Sequence, residues 1–346
     1  MIRFACYFFL IIFSITAFAM EDYFSYKNWG MVCDNTLTCR AYSYIDDENS
    51  AIFLKRYAGA NQPIIGSVYL EDPSIYEQIT LSINDKPTGI IEPQDEQPYS
   101  LTEQQTLAII EAMKKNDSTV TFYNSQQTWN LSDEGFNAVM LKMDELQGRV
   151  GTIGAVIRSG SKDESNVYPP IFFQIINKSP VITPEQSRNI TFNEIITLFP
   201  EFKKRYENSE DGINCNEYMQ SNDLDISFEE GDYPLPRLIK LDSYYHLLEV
   251  FCVYDMDSPN FAYWVIPNAI NPIDSNIQLV TKKGTSYKNG TIDSSIIENQ
   301  NNCAINQTWT WSKNQFILSF SGINPPCNRT KVDPAWYLAT WVTAIK

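Results

Sequence analysis

The sequence predicts an α+β fold that is antiparallel and β-rich: an N-terminal β-meander with two helices, followed by a mainly β C-terminal region. Three observations lead there. Short runs rich in β-branched and aromatic residues recur along the chain, turn-forming pairs separate them, and only a few stretches carry apolar residues at helical spacing. Trp29 to Cys33, Thr38 to Tyr44, Ala51 to Tyr57, Ile64 to Glu71 and Tyr76 to Ile83 read as strands, with Asp34-Asn35, Asp46-Asp47, Gly59 and Asp72-Pro73 between them. The period then changes. Ser100 with Glu103, or Thr102 with Gln105, offers a capping box, and Leu107, Ile110 and Met113 follow on one helical face. Lys114-Lys115 complements the negative end of that helix. Thr119 to Tyr123 and Gln127 to Leu131 read as two more strands. A second helix is expected with Ser132 as its cap, and a core stripe of Phe136, Val139, Met140, Met143 and Ile153 if it runs on past Gly148 and Gly151.

Residues 161–210 read as a linker with short helices, because a polar run at Gly160 to Ser165 gives way to four prolines, at 169, 170, 180 and 184. Capping boxes at Thr183–Gln186 and Thr191–Glu194 predict those helices, the second carrying Ile195, Ile196, Phe199 and Phe202 until Pro200 interrupts it. The chain then returns to strands at Arg237 to Asp242, His246 to Tyr254, Phe261 to Ile266, Ile277 to Lys282, Gln307 to Ser312, Gln315 to Ser321 and Trp336 to Thr343. Ser312-Lys313-Asn314 predicts a tight hairpin between two of them. The expected organisation is therefore 1–19 as a signal peptide, 20–160 as an α+β domain, 161–210 as the linker and 211–346 as a mainly β domain.

The leader expectation rests on Arg3, the apolar run from Phe4 to Ile15, and the small-x-small Ala17-Phe18-Ala19. The run is shorter than the roughly 20 residues of a spanning helix, so stable membrane insertion after cleavage is not expected. Cleavage would remove Cys6 and Arg3, leaving 25 basic against 42 acidic residues, a net charge of −17, and six cysteines. An even count in an exported chain predicts disulfides. Proximity favours Cys33–Cys39, Cys215–Cys252 and Cys303–Cys327, while CxxC pairs of the kind zinc sites use are missing.

Charge and composition exclude several functions. A chain this acidic repels a phosphate backbone, so no nucleic-acid partner is expected. One histidine, His246, excludes HExxH and multi-histidine metal centres, and it lies in an apolar strand where a structural role is expected. No GxSxG elbow, P-loop or dinucleotide fingerprint occurs, so no catalytic residue, metal or cofactor is assigned. The carboxylates remain. Asp144 and Glu145 sit side by side on a helix and point about 100° apart, which suits a helix surface with a local bridge to Arg149. Asp255 and Asp257, with Glu249 upstream, share a strand face and could hold a cation or an acid/base pair. The acidic run Asn222 to Asp232 lacks the glycine and final carboxylate of a calcium loop.

Trp29-Gly30-Met31-Val32-Cys33-Asp34-Asn35 with Cys39, then Leu54-Lys55-Arg56-Tyr57-Ala58-Gly59, then Met143-Asp144-Glu145-Leu146-Gln147-Gly148-Arg149, resemble the DUF1176 family of bacterial exported proteins. Cys252, Trp309-Thr310-Trp311, Cys327 and Trp336 extend the resemblance, and the N-terminal half also resembles the invasion-associated locus B family. The resemblance implies a periplasmic envelope protein and supplies no catalytic residues. The expected function is a non-catalytic module binding an envelope protein or glycan. Two others are weighed against it: an inhibitor of a basic secreted enzyme such as lysozyme, steered by the acidic surface, and a carboxylate-dependent hydrolase.

Overall fold

The computed structural model describes residues 23–45, 50–70, 78–92, 98–115, 117–199, 202, 234–255, 258–268, 277–298, 303–324 and 338–346. The expected signal peptide, Asn222 to Asp232, Cys215, Asp257 and Cys327 lie outside them. The described residues form three antiparallel-dominated sheets and a few helices.

The first sheet holds β1 (Tyr23–Tyr26), β2 (Trp29–Cys33), β3 (Cys39–Ile45), β4 (Ser50–Arg56), β5 (Ile64–Tyr69), β6 (Ile79–Ile83), β7 (Lys86–Ile91), β8 (Tyr99–Ser100), β9 (Val120–Tyr123) and β10 (Thr128–Leu131). Strands β1 to β5 form the expected meander. The meander stops there, because β8 takes the outer edge of β5 and β6 joins the sheet through β9 and β10 instead. Alternation gives this sheet two apolar faces. Met31, Ala41, Ile52 and Leu54 face helices α1 (Glu103–Met113) and α2 (Phe136–Leu146). Val32, Tyr42 and Phe53 face the other way, onto Ile305, Ile323 and Leu338.

Of the two possible boxes before α1, Thr102 with Gln105 is the one that forms, and both of its hydrogen bonds are made. Helix α2 departs from expectation at both ends. Ser132 is not its cap; the cap residue is Gly135, and the Ser132 hydroxyl accepts from the Glu134 amide instead. The helix does not continue past Gly148. That residue adopts φ 71°, a left-handed conformation costly for other residues, so the chain turns away and Ile153 is 66% exposed rather than in the core.

Residues between the halves are built into the fold. A 3-10 turn (Glu164–Asn166) precedes β11 (Gln174–Ile176) and β12 (Ser187–Asn189). The helix expected from Thr183 is not formed: the Thr183–Pro184 peptide is cis and the chain goes on into β12. The Thr191–Glu194 box does form and opens α3 (Phe192–Leu198).

The second sheet runs β12, β13 (Arg237–Lys240), β14 (Tyr245–Asp255), β15 (Ser258–Pro267) and β16 (Gln278–Gly284). The third contains β17 (Ser286–Lys288), β18 (Thr291–Glu298), β19 (Cys303–Ser312), β20 (Gln315–Asn324) and β21 (Leu338–Ile345), with β11 added in parallel to β21. The predicted hairpin joins β19 to β20, Ser312 pairing with Gln315 and Lys313 at φ 58°. One face of the second sheet packs Leu248, Val250 and Trp264 against Ile195 and Phe202; the other packs Leu247 and Val265 against Ile292 and Trp311 of the third.

Candidate functional site

Two of the segments that carried the family resemblance, Leu54–Gly59 and Met143–Arg149, converge where the end of β4, the end of α2 and the loop after it meet. Asp144 shares the inward face of α2 with Met140 and Met143 and is fully buried, whereas Glu145, one helical step round, is exposed beside Lys142 at 3.6 Å. The expected surface bridge from Asp144 to Arg149 is absent. Asp144 accepts the amides of Val156 and Ile157 through Oδ2 at 2.7 and 3.0 Å, and its Oδ1 faces Arg56 Nη1 at 3.5 Å. Burial pushes its carboxyl up, and the two amides, Arg56 and Arg149 oppose that.

Arg149, also fully buried, turns to Glu164 instead. Its Nη1 donates to Glu164 Oε1 at 2.8 Å, its Nε to Gln147 Oε1 at 2.9 Å, and its Nη2 to the carbonyls of Tyr57 and Gly59 at 3.2 and 2.6 Å. Gln147 completes the knot by donating to the carbonyls of Leu37 and Arg56 at 2.9 and 3.0 Å. Arg56 lies 4.0 Å from the same Glu164 oxygen, and burial, then repulsion from Arg149, pushes its guanidinium down to about 10. Glu164 also accepts the Asn61 amide. A Cβ at Gly154 would lie 1.9 Å from Glu164 Oε1, so only glycine admits the carboxylate here.

Two arginines and two carboxylates leave the cluster neutral. Burying charge costs several kcal/mol per ion unless pairing and hydrogen bonds offset it. Here every charged group has both, so the cluster is suited to fixing backbone and not to moving protons. What it fixes is visible on its outer side. Tyr168 donates its amide to the Gln147 carbonyl and accepts from Gly59 at 3.1 and 2.9 Å, and Ile171 donates to Thr36 at 3.4 Å. From the first of these ties to the pairing of β11 with β21, Tyr168, Ile171, Phe172, Phe173 and Ile175 are all at least half exposed, Phe172 at 93%.

The loop Asp34–Thr38 stands beside this knot, closed by the Cys33–Cys39 disulfide. Asp34 is buried and accepts from Thr36, Thr38 and Arg40. Asn35 reaches the third sheet: its amide nitrogen donates to the Val342 carbonyl at 3.1 Å and its oxygen accepts the Val342 amide at 2.8 Å. Cys252 is disulfide-bonded as well; Cys215, Cys327 and the Cys303 side chain lie outside the described residues.

In the second sheet Arg237, Glu249 and Tyr263 are direct cross-strand neighbours. Arg237 donates to both Glu249 oxygens at 2.9 Å, and the Tyr263 hydroxyl donates to Oε2 at 2.8 Å. That fork raises the Arg237 guanidinium, while burial and the adjacent carboxylate push the Tyr263 hydroxyl far above its ordinary value. Glu249 is thus engaged, and the bulge between Phe251 and Val253 interrupts the alternation that placed it on one face with Asp255. The Asp255 side chain lies outside the described residues. His246 sits half-buried on β14, and burial lowers its pKa. Among the described residues no three histidines, cysteines or carboxylates are grouped to hold a metal.

These features define a disulfide-containing, β-rich protein with a buried charge knot and an exposed apolar strap. The chain belongs to the DUF1176 family, described as proteins of unknown function, whose profile matches residues 23–343. No curated protein and no solved structure matches it. Sequence reasoning named Asp144 and Arg149 but missed Arg56 and Glu164 as their partners, and it missed the strap. The one available signal for the strap was the density of apolar residues from Tyr168 to Ile176 inside an expected linker.

Proposed function

We propose that the protein is a non-catalytic, periplasmic component of the bacterial envelope that binds another envelope protein through the strap at 168–175. The carrying observation is that five large apolar side chains stand exposed on a backbone held at both ends. Contiguous exposed apolar surface of this kind marks interaction sites. Pro169 and Pro170 pre-order the segment, which lowers the entropy lost on binding. A protein fits better than a glycan. Sugar platforms use stacked aromatic faces, whereas Ile171 and Ile175 offer none, and no tryptophan is among the exposed large apolar residues described.

Export is supported by the reading of residues 1–19 and by the disulfides at Cys33–Cys39 and Cys252, with Cys215–Cys252 and Cys303–Cys327 as the proposed remaining pairs. Fractionation of cells and disulfide mapping of the purified chain test both points. The test of binding is a photo-crosslinking amino acid at position 172, compared in living cells with one at the exposed position 244, outside the strap. A discrete adduct specific to 172 is expected. Identical patterns, or none at either position, would overturn the proposal. The net charge favours a second reading, an inhibitor of a basic enzyme such as lysozyme, and salt-sensitive inhibition of lysozyme by the mature chain is its test.

A further inference from the structure

We infer that the strap's partner contributes an extended segment, apolar and acidic, which pairs with the free edge of β11 and lies across Phe172 and Phe173. The inference rests on the binding role proposed above and adds the partner's chemistry and mode of docking. Among the described strands, β11 has one neighbour, β21, and so stands at the edge of the third sheet. The Ile176 carbonyl accepts from Lys346 and the Lys178 amide donates to the Lys346 carbonyl, at 2.9 and 2.8 Å. Residues 176 and 178 therefore direct these groups to β21. Alternation turns the amide and carbonyl of Ile175 to the opposite side, where an incoming strand would find them. Phe173 and Ile175 then form an apolar row along the edge, two residues apart.

The local charge selects the partner. Three exposed lysines stand at the end of β11, Lys178 two residues beyond it, Lys346 bonded to it through the backbone and Lys313, whose amide donates to Ser179 Oγ, although the whole chain carries −16. Screening over about 8 Å at physiological salt makes this local balance the one a docked segment meets. The same cations oppose a second copy of the strap. A lipid surface would use the cations and the phenylalanines but leave the Ile175 backbone groups unused, which is why a protein strand is preferred.

The test uses the mature chain with two fluorescent eight-residue peptides, one alternating valine and glutamate, the other valine and lysine. The acidic peptide should bind about tenfold more tightly than the basic one. Ile175→Pro removes the outward amide and leaves the groups facing β21, so it should abolish peptide binding with the circular dichroism unchanged. Phe172→Ser with Phe173→Ser should do the same if the proline variant does not fold. Equal binding of both peptides, no binding of either, binding retained in these variants, sedimentation with phosphatidylglycerol vesicles, or self-association at micromolar concentration would each overturn the inference. An adduct at position 172 that persists while the acidic peptide fails to bind leaves the strap's binding role standing and rejects strand addition.

Discussion

Replacing Arg149 by methionine removes one partner from the buried knot while keeping much of the side-chain volume. Four hydrogen bonds go, and Glu164, its side chain 4% exposed, keeps the Asn61 amide and, as its cation, Arg56 at 4.0 Å. Stranding one member of a buried pair typically costs about 3–5 kcal/mol. At roughly 2–4 °C per kcal/mol for a chain of this general size, Arg149→Met should lower the melting temperature by about 6–20 °C. Lys142→Met, which breaks only the surface pair with Glu145, should change stability by less than about 1 kcal/mol. In the double variant with Glu164→Gln the losses should fall short of additivity by about 1–3 kcal/mol, because the second change removes the stranded charge. Urea denaturation of the wild type, the three single variants and the double variant measures all of this. Strict additivity with Glu164→Gln, or a loss in Arg149→Met no larger than that of Lys142→Met, would refute the assignment of the knot as an energetic unit.

Three further outcomes are expected. Cys33→Ala with Cys39→Ala opens a short loop and should cost about 2 kcal/mol by chain entropy, read as a shift in the denaturation midpoint relative to the oxidised wild type. Asn35→Ala leaves the Val342 amide and carbonyl without their side-chain partner, so it should cost about 1–3 kcal/mol and speed hydrogen exchange at the Val342 amide, while Asn35→Asp should restore the acceptor alone. His246, the sole histidine, should titrate below 6.5 by NMR because burial disfavours its charge. The unfolded chain then binds more protons across that window, so stability falls as pH drops from about 6.5 through the folded pKa, and His246→Gln should remove this component.

Local signals located most elements and failed where distant contacts decide. Trp29 to Cys33 and Thr38 to Tyr44 were legible because alternate residues meet apolar partners on both faces of the first sheet. Polar strands were not: Thr291–Glu298 and Ser187–Asn189 carry serines, aspartate and asparagine and are held by their neighbours' ladders rather than by propensity. The Thr183 box had the right residues for a helix, but the chain after it is taken up in the ladder of Ser187–Asn189 with β13. The end of α2 turned on the left-handed Gly148, which a periodicity count tolerates. The charge knot lay beyond reach for a different reason. Arg56 and Asp144 are 88 positions apart, and adjacent acids on a helix look solvent-facing until the packing shows which of the two points inward.

The parallel pairing of β11 with β21, together with the Asn35 clasp on Val342, has a consequence for the order of assembly. Asn35 and Val342 are 307 positions apart, and Ile176 meets Ile345 across most of the C-terminal half. Contacts of such separation are the slowest to form, since the chain must first be closed over a long span. The first sheet and its two helices have the residues of their own core in hand before the final strand is available. The last eight strand residues, Leu338–Ile345, then do three jobs on arrival: they complete the third sheet, cover Val32 and Tyr42, and hold the segment that carries the strap. Loss of Leu338–Ile345 would therefore remove the seam between the first and third sheets and the support of β11 in one event, so a single strand carries both.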